Sequence, residues 1–375
     1  MIRVASLVSY KVMPAKMGGQ KAVYLLLKYL AGKVSVVCYT TSNNEPAPDE
    51  PFEVQKVFPD HPVRYANPFA FFKLRKKMRQ QQATHLMIDH PYMGWLALAL
   101  RRALRIPLVV RSHNIEALRF RSVGKWWWRL LWSYEKYVHR HADLNLFITA
   151  GDRDYAIRHY GLSAGKCVVI TYGIEKSIAP TKEEKQVAKS ALLRQYQLPA
   201  ETSILLFNGT LNYPPNLQAL DILINEVAPA LQANAPHCCI MVCGSRLPEK
   251  YAAVLAQTSG IVYTGFVPDI EPYYLAADFF LNPVSEGGGI KTKLVEALAA
   301  DLTTISFASG ATGIPADTSG QKLHVVEDGN VRSFITELLK VVHQQQPHIP
   351  TLFFKHFYWG NIAEKTAVAL EVVTG

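Results

Sequence analysis

Phe279-Phe-Leu-Asn282-Pro283-Val-Ser-Glu286-Gly287-Gly288-Gly289-Ile290-Lys291-Thr292-Lys293-Leu-Val-Glu296-Ala-Leu-Ala-Ala300 is the stretch on which the whole chain turns. Phe279–Asn282 is short and mostly apolar, the pattern of a buried strand, and Thr292–Ala300 has the spacing of a helix. Three glycines separate them. A strand running through a glycine turn into a helix leaves backbone N–H groups and the positive end of the helix dipole facing the turn, a cradle for an anion. Lys291 and Lys293 add the positive charge that a diphosphate needs. Glu296, about one turn into the helix, is spaced to accept both vicinal hydroxyls of a ribose.

The same alternation runs outward in both directions. Downstream, Thr303–Ser306 reads as the next strand. Upstream lie the strands Ser203–Asn208, Cys238–Cys243 and Ile261–Tyr263, with helices at Leu217–Gln232, Glu249–Gln257 and Ile270–Ala277. Before residue 174 the pattern repeats, with strands at Ile2–Val8, Lys33–Tyr39, His85–Ile88, Leu108–Arg111 and Leu144–Thr149 and a helix from about Gln20 to Ala31. Strands alternating with helices imply βαβ units and parallel sheets. An α/β chain of two doubly wound domains is therefore expected, with residues 1–174 and 175–352 as the domains. The aromatic and then helical segment 353–375 is expected to cross back onto the first.

Composition narrows the class. With 49% hydrophobic and 19% charged residues in 375, the chain buries too much apolar surface to be disordered and is long enough for two cores. No apolar run reaches the roughly 18–20 residues of a membrane span, and the N-terminus starts as a strand, without signal-peptide features. Five cysteines, an odd and sparse set, suit a reducing cytoplasm better than a disulfide framework. The trio Cys238, Cys239 and Cys243 lacks zinc-ligand spacing. Charge is uneven. Residues 1–174 carry 26 Lys and Arg against 11 Asp and Glu, and residues 175–375 carry 14 against 19, so the first half is suited to an anionic partner. No nucleic-acid motif accompanies that charge.

Other loops at strand ends are candidates for function. Met17-Gly18-Gly19-Gln20 opens the first helix and lets a ligand approach its backbone. Arg111-Ser112-His113-Asn114-Ile115-Glu116 follows a strand, where His113 could bind a hydroxyl or move a proton. Phe207-Asn208-Gly209-Thr210 ends the first strand of the second half, and Asn216 beyond it reads as an N-cap. Gly265-Phe266-Val267-Pro268 presents backbone groups to a base edge.

Taken together, Val262-Tyr-Thr-Gly265-Phe-Val267-Pro-Asp269, Tyr274-Leu-Ala-Ala-Asp278 and Gly289-Ile-Lys-Thr-Lys-Leu-Val-Glu296 resemble the donor-binding half of GT-B glycosyltransferases of family GT4. Phe207-Asn-Gly-Thr-Leu211 is similar to the opening of that half. Gly18-Gly19, Ser112-His-Asn-Ile-Glu116, Tyr134-Glu135 and His141-Ala-Asp143 resemble the other half, so the likeness covers nearly the whole chain. It implies two facing Rossmann-like domains with a cleft between them, an acceptor-binding first domain and a nucleotide-sugar-binding second one. It also implies retaining transfer of a sugar from a UDP- or GDP-sugar to a glycan or lipid-linked acceptor, in polysaccharide or glycolipid synthesis, with no cofactor and no metal. His113 and Glu286 would be catalytic. Gly19, Gly209, Thr210, Arg246, Val267, Gly288, Gly289, Ile290, Lys291, Lys293 and Glu296 would bind the donor.

The chain departs from the family pattern twice. Two glutamates with seven residues between them are usual; counting back from Glu296, the first position holds Gly288, and Glu286 stands two residues earlier, where it is expected to take the sugar contact. The loop Gly209–Tyr213 lacks the usual cations, leaving Lys291, Lys293 and Arg246 to neutralise phosphate. A nucleotide-sugar 2-epimerase and a non-catalytic nucleotide-sugar-binding protein share the architecture and stay open. In the basic half, Arg119-Phe-Arg-Ser-Val-Gly-Lys-Trp126-Trp127-Trp128-Arg129 and Phe69-Ala-Phe-Phe-Lys-Leu-Arg-Lys-Lys mix aromatics with cations, as membrane interfaces do. Trp126, Trp127 and Arg129 are expected on an acceptor or membrane side, with the protein cytoplasmic and peripheral at the inner face of the plasma membrane.

Overall fold

Parallel strands covered by helices on both faces are buried on both faces, which is why they read as unbroken apolar runs rather than alternating ones. The computed structural model describes residues 1–286 and 288–373. The first half holds β1 (Arg3–Leu7), β2 (Ser35–Thr41), β3 (Glu53–Phe58), β4 (His85–Asp89), β5 (Leu108–Ser112), β6 (Leu144–Phe147) and β7 (Cys167–Val169). They form one parallel sheet in the order β3-β2-β1-β4-β5-β6-β7. The second half holds β8 (Ser203–Thr210), β9 (Cys238–Ser245), β10 (Ile261–Gly265), β11 (Phe279–Asn282), β12 (Thr303–Phe307) and β13 (Leu323–Val326). Their order is β10-β9-β8-β11-β12-β13, again all parallel. Both are doubly wound, and the direction of winding reverses between β1 and β4 in one sheet and between β8 and β11 in the other.

Three strands were not expected: β3, β7 and β13, each at a sheet edge. β3 has only Phe58 buried and carries exposed Glu53 and Lys56, β7 has three residues, and β13 has none fully buried. A second difference concerns the helix expected at Leu217–Gln232. The chain forms α-helix at Pro214–Ile222 and Ala228–Asn234, joined by a π-helical turn over Leu223–Val227. Pro229, with no N–H to donate, sits in the first turn of the later segment.

The chain divides into two compact units. One comprises Met1–Glu175 with the chain from Phe357 onward, the other Lys176–His356. The terminal segment therefore changes unit at Phe357, four residues later than the 353 expected, because Phe353 and Phe354 are buried with the second unit while Trp359 is buried in the first. There Ile174 forms a parallel bridge with Tyr358, its N–H donating to Phe357 O at 2.7 Å, while Trp359 N–H donates to Ile174 O at 2.9 Å. Gly173 is required at this crossing, since a Cβ would lie 2.6 Å from Trp359 and 2.7 Å from Ile362. The helix Trp359–Val372 then packs along the helix Gly18–Ala31.

Each unit has its own core. Leu7, Tyr39, Leu86, Ile88, Leu108 and Val110 lead the first, and Leu205, Phe207, Val242, Leu281, Ile305 and Phe307 the second. All five cysteines are buried and unpaired. Among the described residues, no helix is long and apolar enough to cross a membrane.

Candidate active site

In the second unit the loops after β8 and β11 leave from opposite sides of the winding reversal. The helix Thr292–Ala299 follows β11, and it starts with no side-chain cap and no acidic residue in its first turn. Among the described residues, no side-chain cap competes for its leading N–H groups. Gly289 has φ +68°, a left-handed turn that a side chain would oppose, and this swings the loop back to the helix start. Lys291 Nζ donates to Gly288 O at 3.4 Å. Of the glycine turn expected here, Gly287 lies outside the described residues. Glu286 is exposed in the same loop, and Ile290 is half-buried.

Lys293 ties the helix to the end of β8. Its Nζ donates to Asn208 O and to Asn216 Oδ1, both at 3.2 Å, and lies 4.8 Å from the centre of the Phe207 ring. Burial pulls its pKa down to about 7, with help from the charge on Lys291; burial alone brings Lys291 to about 8. Glu296, one turn on, has Oε2 3.5 Å from the Tyr274 hydroxyl. That hydroxyl accepts from Asn208 Nδ2 at 3.0 Å and is 3.2 Å from Lys293 O. Asn208, Lys293, Tyr274 and Glu296 are thus one connected group.

Asn216 does not cap its helix, which begins at Pro214 with Tyr213 before it. Proline at the first position already lacks the N–H a cap would satisfy. The Asn216 side chain instead donates to Thr210 O at 3.0 Å and accepts from Lys293. Gly209 leaves it room, since a Cβ there would stand 2.7 Å from Asn216 Nδ2. The neighbouring loops are stitched on, with Leu211 N–H donating to Ser245 O at 2.8 Å and the Tyr263 hydroxyl to Gly244 O at 3.0 Å. Thr210 and Arg246 are exposed, and Val267 is half-buried beyond Gly265. Tyr274, Asn208 and Asn216 were missed as site residues. An amide or phenol in an apolar stretch does not announce what it will touch.

In the first unit, the ends of β1, β4 and β5 converge at the other reversal. Asp89 Oδ1 accepts from Arg111 Nη1 at 3.0 Å and from His113 Nε2 at 3.1 Å, and Arg111 also donates to Ala22 O at 2.9 Å. Burial would raise Asp89, but the His113 bond and the Arg111 charge hold it below the usual carboxylate range. His113 is held down by burial and by Arg111, so the ring is neutral, with its proton on Nε2 and a lone pair on Nδ1. Beside it, Glu116 accepts from the Tyr92 hydroxyl, from Arg119 at 2.6 and 3.0 Å and from Asn114 at 3.3 Å.

The His113 loop is propped from the helix Trp128–His141. Glu135 accepts from Glu116 N–H at 3.1 Å and Ala117 N–H at 3.0 Å, which caps the helix Glu116–Ser122, and burial raises its pKa to about 7. His139 Nε2 pairs with Ser112 Oγ at 3.0 Å and its Nδ1 with Asn145 Oδ1 at 2.8 Å. Gly19 lies in the first turn of Gly18–Ala31, with no atom within 4 Å of where a Cβ would be.

Trp126 and Trp127 precede the helix, which starts at Trp128, because the preceding helix ends at Ser122 and Gly124 turns left-handed at φ +73°. Trp126 is 87% exposed, whereas Trp127 packs on Phe120 at 4.6 Å. Arg121 and Arg129 lie over the Trp128 ring at 5.0 and 5.3 Å. Leu130 is 75% exposed, and Phe69 and Phe72 share the face of their helix opposite buried Ala70, Leu74 and Met78. Among the described residues, no three His, Cys, Asp or Glu side chains are grouped to hold a metal ion.

Residues 17–177 match the model of Glycosyltransferase Family 4, and residues 202–344 that of Glycosyl transferases group 1. A glycosyltransferase from Rickettsia africae ESF-5 superposes with TM-score 0.72 at 12% identity, covering 99% of this chain and 98% of that one. Anabaena Alr3699/HepE, solved with UDP, superposes with TM-score 0.73 at 13% identity over 99% and 100%, and was also solved with UDP-glucose. The sulfoquinovosyl transferase SQD2 of Arabidopsis thaliana is 21% identical over 255 residues, 67% of this chain. The chain spans about half the length of that curated relative. With both halves matched in order, and each half folded as a doubly wound sheet carrying its loops at the reversal point, the chain belongs to glycosyltransferase family 4 and has the GT-B fold.

Proposed function

We propose that this protein is a retaining glycosyltransferase that moves a sugar from a nucleotide-diphosphate donor to a glycan or lipid-linked acceptor without a metal. The observation that carries this is the group Lys291, Lys293 and Glu296 at the β8/β11 reversal, two ammonium groups and a carboxylate around an uncapped helix start. Glu296 would accept the ribose hydroxyls, and the amides at Gly288–Ile290 with both lysines would take the diphosphate. Gly209, Thr210 and Val267 would line the nucleotide, with Arg246 as an added cation. As the bond from the sugar's anomeric carbon to the leaving oxygen breaks, negative charge grows on the diphosphate, where fixed cations stabilise it most. The acceptor oxygen forms the new bond, and its proton passes to the departing phosphate. His113 accepts a sugar hydroxyl through Nδ1, Glu286 takes the sugar contact that Gly288 cannot make, and Gly19 leaves room for phosphate or acceptor.

Because the Anabaena protein was solved with UDP-glucose and the Arabidopsis relative is a sulfoquinovosyl transferase, the first donors to try are UDP-hexoses, with GDP-hexoses and a sulfonated sugar beside them. A panel scored by thermal shift identifies the donor, and hydrolysis or transfer assays with and without EDTA then follow. The double variant Lys291→Ala/Lys293→Ala is expected to lose transfer entirely, and full activity in it refutes the assignment. Binding without turnover would leave a nucleotide-sugar-binding protein, and a product epimerised at carbon 2 would make it an epimerase.

The exposed Trp126, Leu130, Phe69 and Phe72, set among cations in the basic unit, support peripheral attachment to an anionic membrane. Co-sedimentation with phosphatidylglycerol vesicles at low salt should pull the protein down, and Trp126→Ala/Phe72→Ala should release it. No binding to those vesicles sinks this part.

A further inference from the structure

We propose that His90 is a second sugar-hydroxyl contact, its ring accepting a hexose hydroxyl beside His113 at the β1/β4 reversal. This rests on the glycosyltransferase function proposed above.

His90 follows β4 with φ +64° and ψ 155°, a region open in practice to glycine alone. Holding a branched side chain there costs on the order of 1–3 kcal/mol, and such strain persists only where the surroundings impose it. Here His90 N–H donates to Arg111 O at 2.8 Å. The strained backbone brings the His90 ring to 4.4 Å from that of His113, stacked on Tyr92 at 5.3 Å and 6.1 Å from Tyr10. Three strand ends thus meet on one imidazole.

Among the described residues, no hydrogen bond is made by that imidazole. Its Nδ1 is sealed from solvent without a hydrogen bond, and Glu116 Oε1 is 3.5 Å away, too far for one. Nδ1 is closed to any ligand, so the atom of this ring that can meet one is Nε2, and it is the strained backbone placing that ring beside His113 that calls for a partner. The Glu116 carboxylate favours the proton on Nδ1, which leaves the lone pair on Nε2, and about a tenth of the side chain stays open. Burial and the neighbouring His113 bring the pKa down to about 3, so the ring stays uncharged and able to accept. His113 has the opposite tautomer, its proton toward Asp89 and its lone pair on Nδ1. Two neutral acceptors on neighbouring rings suit two hydroxyls of one pyranose, whereas a phosphate, an acceptor itself, would find no donor on either lone pair.

The test uses the full wild-type chain labelled with 15N-histidine, with His90 resonances identified by their absence in His90→Phe. UDP alone, UDP-glucose (or the panel member with the largest thermal shift) and UDP with free glucose are added in turn. The His90 Nε2 signal should move with a hexose-bearing ligand and not with UDP. Movement with the nucleotide-sugar assigns the hydroxyl to the transferred sugar; movement only with free glucose assigns it to the receiving one. A bound hexose, seen by thermal shift, that leaves His90 unmoved overturns the proposal while leaving the transferase function intact. If no nucleotide-sugar raises the melting temperature, the transferase function fails and takes this with it. In kinetics, His90→Phe keeps the stack on Tyr92 and should lower kcat/KM about tenfold, roughly the worth of one hydrogen bond. UDP affinity should be unchanged, and His90→Gln should restore part of the loss.

Discussion

Lys293 is partly buried, held by one carbonyl and one amide oxygen, and its pKa of about 7 leaves it half charged near neutrality. An arriving diphosphate favours the charged form, so binding takes up protons. Affinity should be flat below pH 7 and fall above it, up to about tenfold per pH unit for each proton taken up. Calorimetry at pH 8 in buffers of different ionisation enthalpy should report that uptake. In the empty protein the sign is opposite. A lysine depressed in the fold and normal when unfolded costs stability as pH falls through about 10 toward 7, so Lys293→Met should raise the melting temperature at pH 7 while abolishing nucleotide binding. Gly19 makes a cleaner contrast. With open space where a Cβ would go, Gly19→Val should leave the melting temperature within about 1 °C. It should lower kcat/KM tenfold or more if a ligand fills that space. A harmless Gly19→Val would remove Gly19 from the site.

At the scale of elements, the loop carrying His113 depends on a helix that follows it in sequence. Glu135 holds the first N–H groups of Glu116–Ser122 and His139 holds Ser112. Removing a helix cap costs about 0.5–2 kcal/mol, and Glu135→Ala should lower stability by that order. It should also lower kcat more than donor affinity, since the group proposed to bind the donor lies on other elements. Equal loss in both parameters would show that Glu135 serves the fold only. In the other unit the helix Thr292–Ala299 is tied to β8 through Lys293, and Gly209→Ala should break that tie by driving Asn216 away, weakening nucleotide binding without touching the lysines.

Across the whole molecule, the chain completes its first unit with its last helix. Trp359 is fully buried beside Tyr172, at 5.7 Å, and against Gly173. Trp359→Ala should cost about 3–5 kcal/mol, and hydrogen exchange should show the loss in the first unit ahead of the second. Equal loss in both would mean that the units unfold as one. The interior strands and the loops bearing Gly19, His113 and Lys291–Glu296 were legible because burial on both faces leaves an apolar run, and glycines, lysines and a histidine at its end are conspicuous. Of the four edge strands, β10 was legible from its apolar Ile261-Val262-Tyr263, while β3, β7 and β13 were not, since partial exposure at an edge removes the need for such a run. By itself, the order of residues determined two doubly wound halves and the corner at Gly288–Glu296, because periodicity and turn chemistry are local. Which side chains close on that corner, Tyr274 from 22 residues upstream and Asn208 from 88, only folding decided, as did the ring-to-ring approach of His90 and His113. Those contacts come from strand order and crossover, which bring distant residues together by packing and leave no mark on their neighbours in sequence.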